Sequence, residues 1–132
     1  MATCLLDANV IIALTDAGHE HFDAVTHWMR SCASFATCPI TEGSLIRHHL
    51  RRGSSTHQAL RLVDAIHRRA GHEFWPDALS YTDVDLNRVI GHRQVTDAYL
   101  AALARAHAPA RLVTLDQGLA AAHPDVTDLV AA

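Results

Sequence analysis

Residues 5–14, LLDANVIIAL, place one carboxylate, Asp7, inside a stretch whose other residues mostly ask for burial. An ionised carboxylate at the edge of an apolar core is costly unless something pairs with it. The stretch reads as two elements joined at that residue: a short buried strand over 3–6 and a helix over 8–14. A strand handed directly to a helix is the repeating unit of an α/β fold. The same grammar returns in LVTLDQGL, residues 112–119, where a strand over 111–115 meets Asp116 and a brief helix over 117–122 follows.

Between these two units the pattern keeps alternating. Phe22, Val25, Trp28 and Met29 recur at three- and four-residue spacing, which predicts an amphipathic helix within 20–32. A second short strand is expected over 34–38, closed by Pro39, with a helix over 40–50 carrying Leu45, Ile46 and Leu50. Ser55 and Gln58 form a capping box for the next helix, whose apolar side holds Ala59, Val63, Ile66 and Ala70. A third strand is expected over 73–75, a short helix over 82–90 stopped by Gly91, a helix over 96–107 with Thr96 as its N-cap, and an edge strand over 126–130. Strands alternating with helices, joined by connections short enough for crossovers, define an α/β class with a parallel sheet.

Composition narrows the functional classes. The chain has 132 residues, enough for one domain with a real core, and 49% of them are hydrophobic and 19% charged. No stretch approaches the roughly 20 apolar residues of a spanning helix, and Asp7 interrupts the N-terminal run that a secretory signal needs; a cytoplasmic location is the expectation. Three cysteines, Cys4, Cys32 and Cys38, have no paired spacing and read as small core residues. The eleven histidines are scattered without a strong ligand spacing and read as surface and boundary residues rather than a zinc site. All eleven basic residues are arginine, so any mechanism that needs a lysine is excluded.

Four acids draw together on this scheme. Asp7 and Asp116 each follow a strand, and in a parallel sheet ligands bind outside the carboxyl ends of the strands. Glu42, in PITEGSLIR (39–47), and Asp97, in GHRQVTDAYLAALA (91–104), each open a helix. Singly, Asp7 and Asp116 are explained as N-caps, and Glu42 and Asp97 as partners of a helix dipole. Together at one sheet edge they would repel one another, and cations relieve that repulsion. Mg²⁺, or Mn²⁺ in its place, takes such oxygen ligands alongside substrate phosphate, and can activate water for in-line displacement at phosphorus. The expected chemistry is metal-dependent phosphodiester hydrolysis. Asn9 and Thr114, each two residues from an acid, read either as hydrogen-bonders that orient the carboxylates or as ordinary turn and cap residues.

These motifs resemble those of the PIN-domain nucleases, and among them the VapC-like toxins of bacterial toxin–antitoxin pairs. The resemblance spans essentially the whole chain and rests on LLDANVIIAL, PITEGSLIR, GHRQVTDAYLAALA and LVTLDQGL. It implies one PIN-like nuclease domain over 1–132, a three-layer fold with a mostly parallel sheet of four to five short strands, and Mg²⁺-dependent endoribonuclease activity. It also implies a homodimer and inhibition by a cognate VapB-like antitoxin. Carried over by motif, the catalytic quartet falls on Asp7, Glu42, Asp97 and Asp116, with Asp7, Asp97 and Asp116 as metal ligands and Thr114 beside the last acid.

A net charge of −3 is not that of a typical nucleic-acid binder. However, Arg47, Arg51, Arg52, Arg61, Arg68 and Arg69 crowd a segment whose only acid is Asp64. Clustered arginine is the footprint of phosphate contact, which makes Arg47, Arg51 and Arg52 the candidates to hold RNA; an antitoxin surface or a pair of solvated helices would use the same residues. Arg93 and His92, before Asp97, are further candidates. Three rivals remain. A haloacid-dehalogenase-like phosphatase and a receiver domain both need the missing lysine, and the former would place its second acid at Asn9. A non-catalytic RNA- or protein-binding regulatory module of the same fold needs none of the four acids.

Overall fold

The computed structural model describes residues 2–131. Five strands, β1 (Cys4–Leu6), β2 (Phe35–Thr37), β3 (His72–Phe74), β4 (Arg111–Thr114) and β5 (Thr127–Leu129), form one sheet in the order β3-β2-β1-β4-β5. Every pairing is parallel. Among the described residues six α-helices flank it: α1 (Ala8–Leu14), α2 (Phe22–Met29), α3 (Pro39–Arg51), α4 (Thr56–His67), α5 (Val95–Ala106) and α6 (Gln117–Ala122). The expected class is therefore correct, and the sheet is wholly rather than mostly parallel.

Strand alternation divides the interior in two. On one face, Leu5, Ala36 and Leu112 pack beneath α5, which contributes Ala98, Leu100, Ala101, Leu103 and Ala104. On the other, Cys4, Leu6, Phe35 and Val113 meet Val10, Ile11 and Leu14 of α1, Val25 and Met29 of α2, Leu45 of α3 and Ile66 of α4. Side chains buried on both faces explain why these strands read as short continuous apolar runs. Cys4 and Cys38 are buried and Cys32 half-buried, all as free thiols, in keeping with the core reading.

The chain moves outward from β1 to β2 and β3, then returns across the sheet to β4 and β5. The direction reverses between β1 and β4, and a crevice opens at such a switch point, outside the carboxyl ends of the two strands. Leu6 pairs with Val113, so the next residues, Asp7 and Thr114, face each other at that crevice. The Asp7 N–H donates to the Val113 carbonyl at 2.9 Å and extends the ladder to the acid itself.

Local expectations failed where side chains compete with the backbone. Residues 82–90 are not a helix: one 3₁₀ turn, Tyr81–Asp83, is followed by turns. Ser80 Oγ caps the Thr82 N–H at 3.2 Å and Asp85 Oδ1 takes the Asn87 N–H at 2.9 Å. Such local bonds offer the backbone an alternative to helix. Thr96 is not an N-cap; α5 starts at Val95, continuing a 3₁₀ turn over His92–Gln94. Pro39 opens α3 rather than merely closing β2, in the first helical turn where its fixed φ suits the helix and its missing N–H is not needed. Gly71 (φ +85°) stands immediately before β3, and a Cβ there would come within 2.3 Å of the Ala33 carbonyl oxygen. Glycine is thus required for β3 to approach the turn before β2.

Candidate active site

Three of the four acids meet at the switch point. Asp7 is almost fully buried and caps α1, accepting the Ala8 N–H on Oδ1 at 2.7 Å. Asp116 caps α6 through Oδ1, which accepts the N–H groups of Gly118 and Leu119 at 2.8 and 3.3 Å. The capping role and the site role are therefore compatible, since one carboxylate oxygen serves the helix and Asp116 Oδ2 stays unengaged among the described residues. Asp97 is supplied by the first turn of α5, where it accepts no side-chain hydrogen bond from the described residues. Its carboxyl is pushed up to about 6 by burial first, then by the charges of Asp7 and Asp116. Burial likewise raises Asp7, with a further push from Asp116, against the lowering effect of its hydrogen bonds from Thr114 and Ala8.

Thr114 is the hub of this arrangement. Its fully buried hydroxyl donates to Asp7 Oδ2 at 2.7 Å and accepts the Asp116 N–H at 3.0 Å and Asn9 Nδ2 at 3.3 Å. Asn9 Oδ1 accepts the Leu115 N–H at 3.1 Å. Asn9 and Thr114 thus tie the ends of β1 and β4 together and aim both aspartates.

Glu42 is placed differently. It lies in the first turn of α3, one strand over along the same sheet edge, and its carboxylate is already engaged. Oε2 accepts the Thr37 hydroxyl at 2.8 Å and meets His67 Nε2 at 2.6 Å. The structure therefore brings together Asp7, Asp97 and Asp116 and turns Glu42 toward α4 and β3.

A cavity of about 250 Å³ opens over Asp97 and Asp116, lined also by Arg88, Arg93, Gln94 and His123 among others. Its arginines come from the loop before α5, not from α3. Arg47 donates to Ser44 Oγ at 3.2 Å, within its own helix. Arg51 and Arg52 are exposed at the end of α3, nine and ten residues past Glu42, or about 14 Å along the axis at 1.5 Å per residue.

Arg88 and His123 escaped the sequence reading. His123 is buried, and its Nδ1 lies 3.0 Å from Arg105 Nη2. Guanidinium only donates, so Nδ1 accepts and the ring proton sits on Nε2. Burial, then the charges of Arg105 and Arg88, depress His123 and keep it neutral. Asp125 fixes Arg105 in turn, by bonds of 2.8 and 3.0 Å. The result is a neutral N–H donor in the wall of the cavity. Its position at the end of α6, seven residues past Asp116, was the available signal, but a histidine there carries no motif.

Residues 4–123 match the PIN domain. Ribonuclease VapC29 of Mycobacterium tuberculosis is 55% identical over 97% of this chain and 96% of that protein, and Ribonuclease VapC38 of the same organism is 37% identical over 87% and 86%. Among solved structures, VapBC2 from Rickettsia felis bound to a promoter DNA fragment superposes with a TM-score of 0.67 at 15% identity, covering 98% of this chain and 99% of that one. PAE2754 from Pyrobaculum aerophilum gives 0.62 at 22% identity, over 97% and 84%. At such identities the two structures speak for the fold alone. The chain belongs to the PIN-domain family and, within it, to the VapC-like proteins.

Proposed function

We propose that the chain is a metal-dependent endoribonuclease serving as the toxin of a toxin–antitoxin pair. The observation that carries this reading is the convergence of Asp7, Asp97 and Asp116 with no ion-pair partner among the described residues. The names of its relatives supply the substrate class, RNA. The chemistry of the donor set fits Mg²⁺, with Mn²⁺ as substitute: three carboxylates, one with no hydrogen-bond donor and a raised pKa, form an oxygen-only site with excess negative charge. Asp7, Asp97 and Asp116 would hold the ion. When bound, it supplies the positive charge that activates water and neutralises charge developing on the phosphate oxygens.

The chain's own groups do the rest. Thr114 and Asn9 hold Asp7 and the backbone at Asp116 in place, so these two acids are aimed before substrate arrives. Arg93 and Arg88 line the cavity; Arg93 is suited to phosphate oxygens, Arg88 shares its charge with Asp125 through a 3.2 Å bond, and the Nε2–H of His123 adds a neutral donor. Glu42 enters as the fourth acid only on leaving Thr37 and His67. Arg47, Arg51 and Arg52 fit contacts to flanking RNA rather than to the scissile phosphate. A VapB-like antitoxin is the expected partner, supported by the chain's place among the VapC-like proteins, and a homodimer the expected assembly. No helix among the described residues is long and apolar enough to cross a membrane.

Purified protein is expected to cleave RNA with Mg²⁺ or Mn²⁺ and to stop when EDTA is added; cleavage that continues undiminished in EDTA would sink the metal reading, and RNA binding without cleavage under any divalent ion would favour the non-catalytic module. Charge reversal separates the two arginine groups. Arg93→Glu is expected to weaken RNA binding about tenfold at moderate salt, and Arg51→Glu with Arg52→Glu only about threefold, since Arg93 lines the cavity over the acids whereas Arg51 and Arg52 stand at the far end of α3, where a phosphate contact is open to screening by salt. Equal losses, measured by fluorescence anisotropy across a salt series, would return the scissile phosphate to the α3 arginines.

A further inference from the structure

We infer that Glu42, His67 and His72 form a second cation site, chemically distinct from the aspartate cluster and suited to a borderline transition ion such as Zn²⁺, Co²⁺ or Ni²⁺. One ligand atom from each residue lies within 4.8 Å of the other two. Atoms bound to zinc at about 2.1 Å sit about 3.4 Å apart in a tetrahedron, so the set is close to closed before any backbone moves. The shortest separation, 2.6 Å between His67 Nε2 and Glu42 Oε2, is spanned by a proton where an ion would sit. Opening it needs only a small side-chain shift, and the His67 side chain is 38% exposed.

The site is built rather than incidental. Thr37 Oγ1 donates to Glu42 Oε2 and lies 2.8 Å from His72 Nε2, so one buried hydroxyl aligns two of the three ligands. Since the hydroxyl proton goes to Glu42, His72 must donate its Nε2–H to the oxygen. Ion binding then requires only that the ring proton move to Nδ1. The two imidazoles stack with centroids 4.4 Å apart and planes 26° from parallel, which keeps both rings at the site. Two nitrogens and one oxygen discriminate against Mg²⁺, which prefers oxygen and retains water, in favour of ions that take imidazole. Three ligands leave a fourth position open, which marks an exchangeable rather than a closed structural site.

Occupancy holds the Glu42 carboxylate away from the aspartates, so the same ion is expected to inhibit cleavage; that consequence, unlike the binding, rests on the proposed nuclease function. The test uses the full chain without a polyhistidine tag, titrated with Co²⁺ under excess Mg²⁺ and followed by the visible absorption of nitrogen-ligated cobalt. One saturating ion per chain is expected, displaced by Zn²⁺. His67→Gln and His72→Gln should each weaken it by more than about tenfold, the lower end of what losing even a group that only orients a ligand costs, and Asp97→Asn should leave it unchanged. Co²⁺ absorption untouched by both histidine changes, or no saturable binding at all, would overturn the site. His67 is exposed on α4, so its variant folds even where that of His72 does not. Cobalt binding with no effect of Zn²⁺ on cleavage would uphold the site and remove only its link to catalysis.

Discussion

Asp97→Asn is expected to lower RNA cleavage on the order of 10³-fold, beyond the roughly 10–100-fold typical of losing a group that merely orients a ligand, while the protein stays folded. The amide keeps the shape of the side chain and removes one of three mutually repelling charges. Stability should therefore move opposite to activity. The Asp97 carboxyl is raised from 3.8 to about 6 in the folded chain, so between these values the folded state binds more protons than the unfolded one. Stability then falls as pH rises through that window, and above it the charged carboxylate is a standing burden. In EDTA at pH 7.5 the variant should melt no lower than wild type, and the decline of wild-type Tm between about pH 4 and 6 should be shallower in the variant. With Mg²⁺ the order reverses, because the ion stabilises wild type by binding its folded form and the variant less. A variant that melts lower than wild type in EDTA, or that cleaves RNA at a wild-type rate, would show that Asp97 does not sit in a charge-strained metal site.

The sequence reading succeeded where the period of the chain matched its burial. β1 and β4 were legible because both faces of each are covered, and that placed Asp7 and Asp116 at the carboxyl ends of their strands, although taken singly each reads as the helix N-cap that it also is. The place of Asp97 in the first turn of α5 followed from the alanine- and leucine-rich helix read over 96–107, although that helix begins at Val95 rather than at a Thr96 cap. What could not be read was strand order: nothing local says that β4 lies beside β1 rather than beyond β3, yet that adjacency sets Asp7 against Thr114. Side-chain partnerships across elements were equally hidden. Glu42, His67 and His72 come from α3, α4 and β3, so no spacing rule could join them, and the histidines passed as boundary residues. Charge density along the chain pointed to the α3 arginines, whereas the cavity is lined by Arg88 and Arg93, from a loop expected to be partly helical.

Thr114→Val should do more damage than its conservative size suggests. The substitution keeps the volume of a fully buried side chain and deletes a hydroxyl that makes three hydrogen bonds. The Asp116 N–H and Asn9 Nδ2 lose their acceptor, and Asp7 loses the bond that does most to offset its burial. Leaving such groups without partners costs about 1–3 kcal/mol, which for a chain of this size is a fall of about 5–15 °C in Tm. The Asp7 carboxyl should rise further, and its protonated form holds a cation poorly, so apparent Mg²⁺ affinity for cleavage is expected to drop about 10–100-fold. Because the defect lies in aiming and ionising a ligand rather than in removing it, raised pH and saturating Mg²⁺ should recover part of the rate, which they cannot do for Asp97→Asn. Thr114→Ser restores the hydroxyl and should regain most of the Mg²⁺ affinity. A valine variant with wild-type Mg²⁺ dependence would mean that β4 and its packing, not the hydroxyl, hold Asp7 in place.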